Sequence, residues 1–208
     1  MLLLPSTNLA AGIGHNQPQV VWEPIVLPNG RTTSQAIAMD SRCNRTFYTG
    51  ARGPGKTDCQ LMYFRKHVGT GYGPFWRGII FDREYKNLDD LVSKANRWFP
   101  KFEDGAKWLA ATNQYKWVWP TGEELLFRVV KKDTDYWDYH GQEFSFIGWN
   151  EITKYPTARL YNDMMSVNRS SFSPEKDTPI LQTRRNSKGV YEVVYDTFVA
   201  HSHESPNH

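Results

Sequence analysis

Residues 46–57 read "TFYTGARGPGKT", an aromatic, β-prone run that passes into a glycine-rich turn ending in Lys-Thr. From Gly50 to Thr57 the stretch satisfies the phosphate-loop pattern GxxxxGK[ST] at every fixed position. Glycines let the backbone curl until successive N–H groups converge on an anion, and a helix starting after the loop adds the positive end of its dipole. Gly50, Ala51, Arg52, Gly53, Pro54 and Gly55 therefore form the candidate cradle. Lys56 is expected to reach the β- and γ-phosphates of ATP, and the Thr57 hydroxyl to ligate Mg²⁺. A flexible turn beside a solvated lysine would carry the same letters. The context favours the cradle, because a strand-like run over 45–49 precedes it and "KTDCQLMYFRKHV" (56–68) follows with a helical apolar pattern.

Working outward, the strand, loop, helix unit repeats. "GTGYGP" (69–74) breaks the chain, "RGIIFD" (77–82) suits a buried strand, and "NLDDLVSKANRWFP" (87–100) reads as a helix with Leu88, Leu91, Val92 and Ala95 on one face. "YKWVWPTGEELLFRVV" (115–130) predicts two β segments joined at Pro120-Thr121-Gly122, an insertion at a sheet edge. "EFSFIGWN" (143–150) is a further strand, "TARLYNDMMSVNR" (157–169) a helix, and "TPILQTR" (178–184) a last strand. The alternation predicts an α/β fold of the P-loop NTPase type, a mainly parallel sheet flanked by helices with a β-hairpin insertion. Residues 1–20 and 201–208 read as polar, loose tails around one domain over 21–200.

A phosphate loop needs a polar strand end to hold the metal and align water, and "FSFIGWNEIT" (144–153) delivers Asn150 and Glu151 there. The first position of such a pair is usually Asp. Asn150 can still accept from a metal-bound water or from Thr57, without the charge that favours Mg²⁺. Glu151 is then the candidate catalytic carboxylate, against the plainer reading of a surface acid after a strand.

Bulk composition excludes several classes. In 208 residues, 39% hydrophobic and 14% aromatic, there is enough apolar material for one packed core. A formal charge of +3 is compatible with a polyanionic partner without arguing for one. Cys43 and Cys59 have neither disulfide-framework nor zinc-site spacing, and a reducing compartment is expected. The opening Met-Leu-Leu-Leu has no basic region and meets Pro5, so neither a secretory signal nor a membrane span is expected. Lys131-Lys132 and Arg184-Arg185 are candidate DNA-phosphate contacts or solvated pairs, and His201, His203 and His208 fit a solvated tail better than a metal site. The tryptophans, Trp117, Trp119, Trp137 and Trp149 among them, fit core packing better than base stacking.

With these residues in hand, the chain resembles the ATPase domain of the large terminase subunit, the DNA-packaging motor of tailed bacteriophages. The likeness covers residues 21–163 in four ordered blocks: "VWEPIVLPNGRTTSQAIAM", "YTGARGPGKT", "GIIFDREYKNLDDLVSKANRWFP" and "DYHGQEFSFIGWNEITKYP". It implies ATP hydrolysis that drives double-stranded DNA into a procapsid, in the cytoplasm of an infected bacterial host. The implied partners are portal protein, the small terminase subunit and further copies of the chain in a homo-oligomeric ring. It also implies Gln35 as an adenine-edge reader and Arg83 as an arginine acting on a neighbouring subunit's γ-phosphate; a surface glutamine and a salt bridge to Asp82 or Glu84 are the plainer readings. Arg52 is a second candidate for a phosphate contact. Two departures stand out: Asn150 replaces the family's Asp, and "TRRNSKGVYEVVYDTF" (183–198) matches the coupling motif only loosely. No nuclease domain is expected within residues 199–208, so DNA cutting would come from another chain. A hydrolysis-impaired nucleotide-binding or assembly module, and another P-loop ATPase such as a helicase-like translocase, remain alternatives.

Overall fold

The computed structural model of the protein describes residues 2–3, 20–29, 32–41, 43–50, 55–111, 114–173, 182–185 and 191–194. In chain order the elements are β1 (Leu2–Leu3), β2 (Val20–Trp22), α1 (Ser34–Met39), α2 (Lys56–Arg65), β3 (Arg77–Asp82), α3 (Tyr85–Trp98) and β4 (Lys107–Leu109). There follow β5 (Lys116–Val118), β6 (Glu124–Val129), β7 (Phe146–Trp149), α4 (Arg159–Met164), β8 (Gln182–Arg185) and β9 (Tyr191–Val194). The run at 77–82 becomes a central strand because it is apolar on both faces, and all of it past Arg77 is buried. On one side β3 pairs in parallel with β6, from Gly78 opposite Leu125 to Asp82 opposite Val129. On the other it pairs in parallel with β7, Gly78 opposite Phe146 and Ile80 opposite Gly148.

The sheet order is β4-β5-β6-β3-β7. It is an α/β arrangement, but the sheet is mixed instead of mainly parallel, since β5 runs antiparallel to β6 and β4 antiparallel to β5. The expected hairpin is the cause: Gly122 N–H donates to Trp119 O and Trp119 N–H to Glu123 O, both at 3.0 Å, and a turn that tight returns the chain against itself. It is also no edge insertion, because β6 lies between β5 and β3.

Strand parity divides the core. Ile80, Leu125, Phe127 and Phe146 face one side, where they meet Leu61, Met62 and Phe64 of α2 and Leu88, Leu91, Val92 and Ala95 of α3. Ile79, Phe81 and Leu126 face the other, with Ile147 and Trp149 of β7, against Leu160 and Met164 of α4 and Phe144 just before β7. Each fully buried Leu, Ile, Met or Phe among them contributes about 1.5–3 kcal/mol. Trp117 and Trp119 are in the core as expected, whereas Trp137 is 68% exposed and does not pack there.

Two strand expectations change. Residues 45–49 carry no strand pairing among the described residues. Gln182–Arg185, the described part of the expected strand 178–184, forms a two-stranded antiparallel ladder with β9, separate from the main sheet. Leu2–Leu3 pairs with β2, and residues 4–19 and 195–208, the tails and their histidines included, lie outside the described residues. Among the described residues no helix is long and apolar enough to cross a membrane.

Candidate functional site

The site is built where α2 meets the sheet. A Cβ on Gly148 would lie 2.6 Å from Gln60 Nε2, and one on Gly78 would lie 2.5 Å from the Phe64 ring, so both glycines exist to let α2 press onto β7 and β3. Gln60 sits over the level of Ile80 and Gly148, and Phe64 over the level of Gly78 and Phe146. Four residues of helix advance about 6 Å, and two residues of strand about 6.6 Å. The helix therefore runs antiparallel to the two strands. One turn before Gln60, its N-terminus at Lys56 stands level with the C-terminal ends of β3 and β7, where Asp82, Arg83, Asn150 and Glu151 are.

Gly55 begins the helix in the left-handed region, φ 70° and ψ 24°. A side chain there would be strained and would also meet Gln35 Nε2 at 2.6 Å, which is the local reason for glycine before the lysine. Lys56 Nζ donates back to Gly50 O at 2.7 Å, so the ammonium closes the two described ends of the loop on each other. Thr57 follows, half-buried, in the first turn. Ala51, Arg52, Gly53 and Pro54, the middle of the expected cradle, lie outside the described residues.

Gln35 is 3% exposed and works on the backbone: its Oε1 accepts from Ile25 N–H at 2.8 Å, and its Nε2 donates to Gly55 O at 3.2 Å. It ties the segment before α1 to the foot of the loop, with Thr33 capping α1 by accepting from Ala36 N–H. This is not a surface glutamine. An adenine-reading role would have to share an amide already engaged at both ends.

At the strand ends, alternation puts Gly78, Ile80 and Asp82 on one face of β3, and Phe146, Gly148 and Asn150 on the same face, the one α2 covers. Asp82 and Asn150 are the next register step after Ile80 and Gly148, and Asn150 Nδ2 donates to Asp82 Oδ2 at 2.7 Å. Asp82 is fully buried. Its other oxygen accepts from Glu84 N–H at 2.8 Å and Asn87 Nδ2 at 3.2 Å, which also stitches it to the start of α3. Burial, and then the Asp82 charge, push the neighbouring Tyr155 phenol well above its ordinary value. Sequence reading gave Asp82 no role beyond a neighbour of Arg83. The missed signal was its parity with Gly78, the residue that marks the helix-facing side.

Glu151 follows, exposed, with φ 52° and ψ 48°. A non-glycine residue held in the left-handed region costs about 1–2 kcal/mol, and such strain gathers where chemistry is done. Arg83 is half-buried and its Nη1 donates to Lys154 O, not to Asp82 or Glu84, so it braces the turn that carries Glu151. Cys59 is buried in α2, and burial pushes its thiol up to about 12, an inert packing role; Cys43 is exposed.

The structure thus brings Lys56, Thr57, Gln35, Arg83, Asn150 and Glu151 to one edge of the sheet and adds Asp82. The donor set fits a nucleotide-borne Mg²⁺, which takes one or two protein oxygens and completes its octahedron from phosphates and water; a three-ligand cluster of His, Cys, Asp or Glu is absent among the described residues. No family model matches the chain, and no curated protein or solved structure matches it either.

Proposed function

We propose that this chain is the ATP-hydrolysing motor domain of a viral terminase, built on a P-loop fold and powering translocation of double-stranded DNA into a procapsid. The observation that supports it best is that the helix opened by Gly-Lys-Thr has its N-terminus level with the strand ends bearing Asp82 and Asn150 on the sheet face it covers, with Glu151 exposed in the turn that follows. The positive helix end and the Lys56 ammonium bind and orient the triphosphate. Mg²⁺, when bound, neutralises charge on the phosphate oxygens, and Thr57 and Asn150 are the residues that would hold it. Glu151, exposed at the strand tip, accepts a hydrogen bond from the attacking water and polarises it. Arg83 can complete the site of a neighbouring subunit only in an assembled ring. The DNA, portal and small-subunit partners rest on the resemblance of the four sequence blocks alone.

A second reading, nucleotide binding without hydrolysis, is favoured by Asn150, which removes a charge from the position next to Glu151. Phosphate release decides between them. The motor reading predicts ATP hydrolysis without any acceptor substrate, stimulated by DNA and procapsids. In Glu151→Gln it predicts retained ATP binding with turnover lowered by about 100-fold or more, the range for losing a general base. A native chain that binds ATP yet releases no phosphate even with DNA and procapsids supports the second reading. Dependence on a nucleoside monophosphate would sink both in favour of a kinase.

A further inference from the structure

The Asp82 to Asn150 contact carries more than local packing. Three N–H donors, from Glu84, Asn87 and Asn150, are aimed at the Asp82 carboxyl group, so that group can only accept. The Asn150 amide must then turn its nitrogen inward, toward β3. Its carbonyl oxygen takes no hydrogen bond from any described residue, while Asn150 N–H is fixed to Phe81 O at 2.8 Å and holds the residue in place. Asp82 is fully buried one register step beyond Ile80, on the face that α2 covers.

We infer that Asp82 is a positioning residue: it locks the Asn150 amide so that the carbonyl oxygen serves the Mg²⁺ of a bound nucleotide, with the acid of this pair on β3 and the amide at the end of β7. The inference rests on the phosphate-loop reading and deepens it. It explains how a site can work with Asn at the strand end, since the carboxylate is present one strand over. A carboxylate added at 150 by itself would instead put two acids in hydrogen-bond contact. What the arrangement conserves is one acid and one amide, and either order of the two residues provides that.

The test exchanges them. In D82N the introduced side chain keeps its oxygen on Glu84 and Asn87 and turns its nitrogen toward Asn150, which must flip to accept and so present N–H groups to the metal. ATP affinity is measured on the full chain by titration with and without Mg²⁺. D82N should lose about 10- to 100-fold of the Mg²⁺-dependent gain, the usual effect of removing a group that orients a ligand, with Mg²⁺-free binding unchanged. The exchange D82N/N150D should restore the gain, because the acid at 150 accepts from the amide at 82 and keeps its second oxygen outward. A D82N chain with the full gain, or an exchanged chain without it, overturns the inference. If D82N does not fold, the native chain still decides: the Asn150 side-chain amide protons should exchange slowly with solvent by NMR, and exchange at the rate of a free amide overturns it. A native chain that binds ATP neither with nor without Mg²⁺ fails the phosphate-loop reading itself. Native binding that D82N leaves unaltered fails only the positioning role.

Discussion

Glu151 concentrates the tension between folding and function at the level of one residue. Its left-handed backbone, φ 52°, suits glycine, yet the proposed chemistry needs a carboxylate there. Glu151→Gly should therefore abolish turnover and still raise stability by roughly 0.5–1 kcal/mol, the relief of left-handed strain less the entropy glycine loses on folding. For a chain of this size that is a melting point higher by about 2 °C; a lower melting point would contradict the strain. Individual residues were unequally legible. Lys56 and Thr57 announce themselves because a phosphate loop constrains neighbouring letters. Gln35 and Asp82 do not, because their partners are Ile25 and Gly55 in one case and Asn87 and Asn150 in the other, contacts that only the folded backbone assembles.

Between elements, the decisive contact is α2 on the sheet, and two glycines of different tolerance set it. At Gly78 a methyl group would strike the ring of the fully buried Phe64 at 2.5 Å and Leu125 at 2.9 Å, neither of which has room to move. At Gly148 the nearest atom is the end of the flexible, half-buried Gln60 side chain. Gly78→Ala should cost about 1–3 kcal/mol, as overpacking a filled core does, and Gly148→Ala clearly less. Thermal melts of the two variants check the order, and equal losses would contradict this packing of α2. The elements that periodicity marked strongly, α2, β3 and α3, were legible because each buries an apolar face, whereas the strand expected over 143–150 is realised only as Phe146–Trp149. The three-residue β4 was not legible, since nothing in "KWL" outweighs the loops around it and its pairing with β5 defines it.

Over the whole molecule, alternation of strands and helices was a sound guide to an α/β fold and a poor one to strand direction. The parallel half, β6-β3-β7, follows from apolar runs joined by long crossovers. The antiparallel half follows from the turn at 119–123, whose chemistry was visible while the central position of β6 was not, because sheet order is settled by which faces fill the core. That topology is what brings residues more than ninety positions apart in the sequence, from Lys56 to Asn150, to one edge. The most direct measurement of the claim is a titration of the native chain and Lys56→Ala with MgATP. The native protein should bind saturably, and the variant should show at least a tenfold weaker affinity, about 1.4 kcal/mol, with an unchanged melting point. Equal affinity in the two, or no binding by the native chain, would contradict it.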